Sequence, residues 1–234
     1  MKQKCCIALS CVLYLSAAVL LAGYFAADLS PWWMLSPAGR VAVLLLACLL
    51  IYAGGLLLAF HIDARHRQKP LRVGLWIWFV LYLILLCTLT QFDAFFGRHG
   101  FSLPEWTKER FVLYTQFSMN LVPFRTIGEY IRMYFRGNIA PHIVFYNLFG
   151  NLVALSPFAF FLPLLFPAQQ KWRVFVPTVA GVVLLIELLQ FATLSGSCDI
   201  DDLILNVAGA CALYAILRIP PVFRGMKKVF LRDF

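Results

Sequence analysis

Residues 185–210 read LIELLQFATLSGSCDIDDLILNVAGA. Two apolar runs flank a short acidic loop, and Glu187 and Gln190 interrupt the first of them. A charge within a bilayer is expensive and is by default a functional feature. Whether these runs are membrane spans therefore decides both the fold and the site.

Composition decides it. The chain of 234 residues is 62% hydrophobic and 13% charged, with a mean hydropathy of +0.82. Soluble domains carry roughly 25% charged residues. A spanning helix needs about 20 mostly apolar residues, and six segments qualify: 5–27, 40–62, 73–92, 141–166, 174–194 and 203–218. The alternation of a transmembrane barrel is missing. The expectation is an all-α, polytopic transmembrane helical bundle. Lys2 and Lys4 precede the first run as in a signal peptide, but Phe25 spoils a cut after Ala27, where a small residue is wanted. The first run reads as an uncleaved span.

Basic residues orient the chain. With both termini in the cytoplasm, the inner segments hold Lys2, Lys4, Arg65, Arg67, Lys69, Arg72, Lys171, Arg173 and the basic tail from Arg218 to Arg232. The loop SGSCDIDD then faces outward with no Lys or Arg. Anionic inner-leaflet lipids account for the net charge of +9 without nucleic acid. Three regions follow: 1–72, two spans and a basic loop; 73–218, the polar-bearing membrane domain; and 219–234, the basic tail.

Six of the seven cysteines fall in spans, where cysteine is usually a small apolar residue. No CxxC or Cys/His spacing suggests zinc, and no cofactor motif is present. Asp199, Asp201 and Asp202 with Glu187 offer oxygen ligands for Mg²⁺ or Ca²⁺, but D-x-D-D is a short and common spacing. Solvated loop charges are the plainer reading of Asp199 and Asp201, and no metal is assigned.

Nearly fifty residues join spans three and four, a length that often signals function. DAFFGRHGFSLPEWTKER (93–110) is loop-like. Beyond Pro123, Arg125, Glu129, Arg132 and Arg136 form one stripe, and Ile127, Tyr130, Ile131, Tyr134 and Phe135 another. That period predicts an amphipathic helix in the interface with its aromatic face in lipid. Glu129 is placed to pair with Arg125 or Arg132.

Polar residues in the last three spans come in pairs. Asn147 and Asn151, Glu187 and Gln190, and Asp202 and Asn206 each share a helix face. At 1.5 Å per residue, the first two pairs lie roughly 6–15 Å from the same membrane surface. Unsatisfied polar atoms are costly in lipid, so one shared cluster is expected. Amide glue between helices is the plainer reading for the asparagines. Asp202 also stands where an N-cap for span six belongs.

In order, NLVPFRTI (120–127), NLFGNLVALSPFAFFLP (147–163), ELLQ (187–190) and DIDDLILNVAGA (199–210) resemble the VanZ-like family of bacterial membrane proteins. The resemblance covers about 75–218. It implies a compact helical membrane protein of the bacterial cell membrane. It also implies a link to low-level teicoplanin resistance, the property of the founding member. The motif positions are Asn120, Pro123, Phe124, Asn147, Asn151, Pro157, Glu187, Gln190, Asp199, Asp202, Asn206 and Gly209. Family members often carry arginine after the glycine of the last loop, where this chain has Ser197. Arg125 is the expected substitute for contact with an anion.

The leading expectation is an outward-facing pocket built from Asn147, Asn151, Glu187, Gln190, Asp202 and Asn206, with Asn120 and Asp199 at its mouth. Arg125 and Arg132 would meet phosphate or carboxylate. Its ligand would be a membrane lipid, a lipid-linked wall precursor or a lipoglycopeptide. The alternatives are an intramembrane hydrolase or transferase using Glu187 or Asp202 as acid or base, and a transporter or flippase.

Overall fold

The computed structural model describes residues 2–28, 35–61, 68–92 and 105–231. Most of the basic loop (63–72) and most of the loop-like stretch after span three (93–110) lie outside the described residues, as does Arg232. Six helices are long and apolar enough to cross a membrane: Cys5–Ala27, Ala38–His61, Gln68–Gln91, Pro141–Leu165, Trp172–Thr193 and Ile200–Leu217. The chain is an all-α polytopic membrane protein, as hydropathy predicts. Its packing separates into two units, Met1–Leu86 with Phe223–Phe234, and Cys87–Val222.

In the first unit, α1 (Lys2–Asp28) and α2 (Pro37–His61) form a hairpin. Its core is Ala17, Tyr24, Leu44 and Ile51, with Leu81 from α3 (Gln68–Cys87). Glycine permits the close approach: a Cβ at Gly54 would stand 3.3 Å from the Tyr14 ring and 3.4 Å from the Ser10 carbonyl. The end of the chain belongs here too. Phe230 packs on Tyr52 and Trp78, with ring centres 5.3 and 5.9 Å apart, and the Tyr52 hydroxyl donates to the Val229 carbonyl (3.3 Å). The basic tail is thus also a packing element.

The second unit carries the polar pairs. It opens with a π-turn, Thr88–Phe92, continuing α3. Next come α4 (Lys108–Phe117), the two-residue strand β1 (Met119–Asn120) and α5 (Arg125–Phe135). Span four is assembled from pieces: α6 (Pro141–Val144), a π-turn at Phe145–Phe149, α7 (Gly150–Ala154) and α8 (Phe158–Leu165). Pro157 causes the break, because it has no N–H to give the Val153 carbonyl. Ser156 supplies both replacements, its N–H donating to Val153 O and its Oγ to Leu152 O, each at 3.0 Å. Span five is α9 (Trp172–Thr193), and span six is α10 (Ile200–Leu217), preceded by β2 (Cys198–Asp199) and followed by α11 (Pro220–Met226).

α10 is the hub, packed on α7, α8 and α9. At Gly209 its backbone meets that of α7: a Cβ there would lie 1.7 Å from the Leu152 oxygen. Small residues at such crossings are how membrane helices approach closely. At the far end of α9 and α10, Phe175 and Tyr214 stack with centres 4.1 Å apart, both fully buried. Trp172 packs on Tyr214 (4.4 Å), whose hydroxyl donates to Gln169 O (3.1 Å).

α4 rests on the end of α9 through aromatic contacts of Phe111 and Tyr114 with Phe191. Trp106 donates its indole N–H to Ala192 O (3.1 Å).

Candidate functional site

α9 ends on Leu194 in the left-handed region (φ 46°), and Gly196 follows at φ 65°. These two residues turn the chain so that Cys198–Asp199 runs parallel to Met119–Asn120. The Cys198 N–H donates to Ser118 O (2.8 Å). Glu187, buried one turn before the end of α9, accepts the Asp199 N–H at 2.9 Å. A carboxylate stands near the end of span five because a backbone amide of the next loop needs an acceptor there.

Asp199 is the N-cap of α10, its carboxylate accepting the Asp201 N–H (2.8 Å). This corrects the assignment of the cap to Asp202, since span six begins at Ile200 rather than near Leu203. The Asp199 carboxylate also accepts from Asn120 Nδ2 (2.9 Å) and the Thr126 hydroxyl (2.5 Å). Asp201 is fully buried. Its two oxygens accept the backbone N–H groups of Phe124 (2.5 Å) and Ile127 (3.1 Å). α5 has no cap of its own at Phe124, which sits at φ 63°. Asp201 caps that helix from a distant element, where the helix dipole favours an anion. Asp199 and Asp201 are therefore not solvated loop charges.

Asp202 turns to span four, accepting from Asn151 Nδ2. Asn206, one turn on, donates Nδ2 to Asp202 O (2.8 Å), and its buried Oδ1 has no hydrogen-bond partner. Asn147 lies in the π-turn and donates to Ile143 O (2.8 Å). Such turns are frequent at functional sites. Gln190 leaves the cluster: it donates to Thr90 O (2.9 Å) in the π-turn after α3.

These elements enclose an open cleft of about 310 Å³. Thr126, Ile127 and Tyr130 form the α5 wall; Asn147 and Asp202 stand opposite, with Ser197 and Asp199 also lining it. α5 thus has three sectors, not two. Ile127 and Tyr130 face the cleft and not lipid. Phe124, Ile131 and Phe135 are the exposed apolar side. Arg125 pairs with Glu129 (3.1 Å) on an exposed stripe that Arg132 shares; neither arginine lines the cleft.

Burial and the carboxylates of Asp202 and Asp199 push the Tyr130 phenol up, so it stays a neutral donor. Burial, then Glu187, Asp199 and Asp202, push the Cys198 thiol up, which removes it as a ready nucleophile. Its maleimide labelling should reach half-maximal rate at a higher pH than a free cysteine's. Glu187→Gln should lower that pH, because one of the anions opposing the thiolate is gone. An unshifted profile for both proteins would refute the assigned electrostatics. Among the described residues no group of three His, Cys, Asp or Glu is arranged to hold a metal ion.

Sequence reasoning missed Asp201 and Thr126 as anchors and Tyr130 as a cleft residue. The second aspartate of DIDD was the available signal.

A multi-pass helical membrane protein with a polar cleft at one end of its last three spans is the class this geometry defines. The chain belongs to the VanZ/LLP1 family, whose model matches residues 79–223. No curated protein and no solved structure matches it.

Proposed function

We propose that this VanZ-like protein binds an amphiphilic cell-envelope ligand in the cleft between α5 and α10. The observation that carries the reading is the three-sector α5: a polar cleft wall adjoins an exposed apolar side that includes Phe135, 81% exposed. A lipid, a lipid-linked wall precursor or a lipoglycopeptide has both halves. Its head fits the cleft while its apolar part follows the Phe124–Phe135 side.

The protein would sit in a bacterial cell membrane with both termini inside and the cleft facing outward. That orientation follows the basic-residue bias. Glycopeptide resistance would then arise by holding the drug, or a wall precursor it targets, at the membrane surface. The elevated Cys198 thiol weighs against covalent catalysis, and the Phe175–Tyr214–Trp172 stack at the other end of α9 and α10 weighs against a polar path between them.

The test is expression in a glycopeptide-susceptible Gram-positive host. Wild type should raise the teicoplanin inhibitory concentration, and Asp202→Asn at matched membrane levels should not. Equal inhibitory concentrations with and without wild-type protein would remove the resistance role.

A further inference from the structure

We propose that the cleft selects a primary-amine headgroup, taking its ammonium between Asp202 and Tyr130. This rests on the reading of the cleft as a binding site and names the chemistry of its ligand. The argument is an imbalance between donors and acceptors.

Asp202 contributes a carboxylate to the lining. Asn147 also lines it, but its Nδ2 is committed to Ile143 O, so its Oδ1 is what it offers. The Thr126 hydroxyl is committed to Asp199. Asp199 and Asp201 bind only N–H and O–H groups of the arm and loop, and no basic side chain lines the cleft. Its field is therefore negative.

Asn206 adds an independent observation. It is 5% exposed, and its Oδ1 is a buried acceptor with no donor, one turn below Asp202. α10 turns this face toward α7, where Asp202 meets Asn151 and Gly209 meets Leu152. A buried acceptor left empty is costly. An ammonium, with three donors and no acceptor, suits such a site, directly or through one bridging water. The guanidinium stripe of Arg125 and Arg132 occupies another sector of α5, so an anion is not what the cleft attracts.

The test uses the full chain purified in detergent. It is offered equal amounts of dioleoylphosphatidylethanolamine, its N-acetylated form and dioleoylphosphatidylglycerol, and retained lipid is read by native mass spectrometry. The amine lipid should be retained about tenfold over the acetylated one, given the strength of hydrogen bonds to charged groups. Asp202→Asn, which keeps the acceptor for Asn151, should erase that preference.

Free ethanolamine at millimolar concentration separates the sources. Competition means the amine is recognised without its lipid; none, with selection intact, means a lipid-borne amine. Equal retention of the acetylated lipid overturns the amine inference alone if retention still depends on Asp202. Retention of no lipid above the Asp202→Asn level overturns the binding reading itself.

Discussion

Replacing Asp201 with alanine should release α5 from the rest of the second unit. The carboxylate is fully buried and accepts two backbone N–H groups, those of Phe124 and Ile127. Hydrogen bonds to a charged group contribute roughly 1.5–3 kcal/mol each, so removal of both costs about 3–5 kcal/mol. The loss falls where α5 has no cap of its own and Phe124 is held in a left-handed conformation. That conformation costs on the order of 1 kcal/mol or more and persists only while its surroundings impose it.

Asparagine should rescue only in part. Its oxygen can serve one amide, but its NH₂ group then faces the other N–H, donor against donor. Hydrogen exchange reads this directly. Amides of 121–136 should lose protection in Asp201→Ala, less in Asp201→Asn, while those of α9 remain protected. Exchange of 121–136 at the wild-type rate in Asp201→Ala would sink the capping assignment.

Gly209→Ala should be the most damaging one-carbon addition in the second unit. The new Cβ would lie 1.7 Å from the oxygen and 2.7 Å from the carbon of Leu152. Both are backbone atoms, so no rotamer relieves the clash and α7 must move off α10. Overpacking of ordinary cores costs about 1–3 kcal/mol, and a backbone collision belongs at or above the top of that range. The displacement reaches the site, because Asp202 lies about two turns along the same helix, roughly 10 Å away.

Two other glycines serve as controls. A Cβ at Gly150 meets nothing within 4 Å, and one at Gly128 meets only the Arg132 guanidinium at 3.9 Å. Alanine at either should leave thermal unfolding in detergent unchanged or slightly raised, since alanine favours helix. Equal midpoints for the Gly209 and Gly150 variants would contradict the close crossing.

The spans were legible because hydropathy over about 20 residues is a bulk property that neighbours rarely override. So was the convergence of Asn151 with Asp202 and of Asn120 with Asp199, since buried polar groups must find partners. Local detail was less legible. Glu187 and Gln190 are three residues apart, 60° around the helix, and that angle sends one to the Asp199 amide and the other to Thr90. Asp201 carries the same letters as a solvated loop aspartate; only the fold brings the start of α5 to it. The interfacial helix reads as two-faced from periodicity alone, because Ile127 and Ile131 are equally apolar. Packing against α10 divides them, putting Ile127 in the cleft wall and leaving Ile131 exposed.

The contact of Phe230 with Tyr52 and Trp78 has a consequence in time. Residues 87–222 are translated between the two sides of that contact. At about 5–20 residues per second, their synthesis takes roughly 10–30 s. Throughout that interval the aromatic corner of α2 and α3 is in the membrane without its partner, covered by acyl chains. The first unit to leave the ribosome is thus the last to be finished, and shortening the chain before Phe230 should weaken the amino-terminal hairpin rather than the family-matching region.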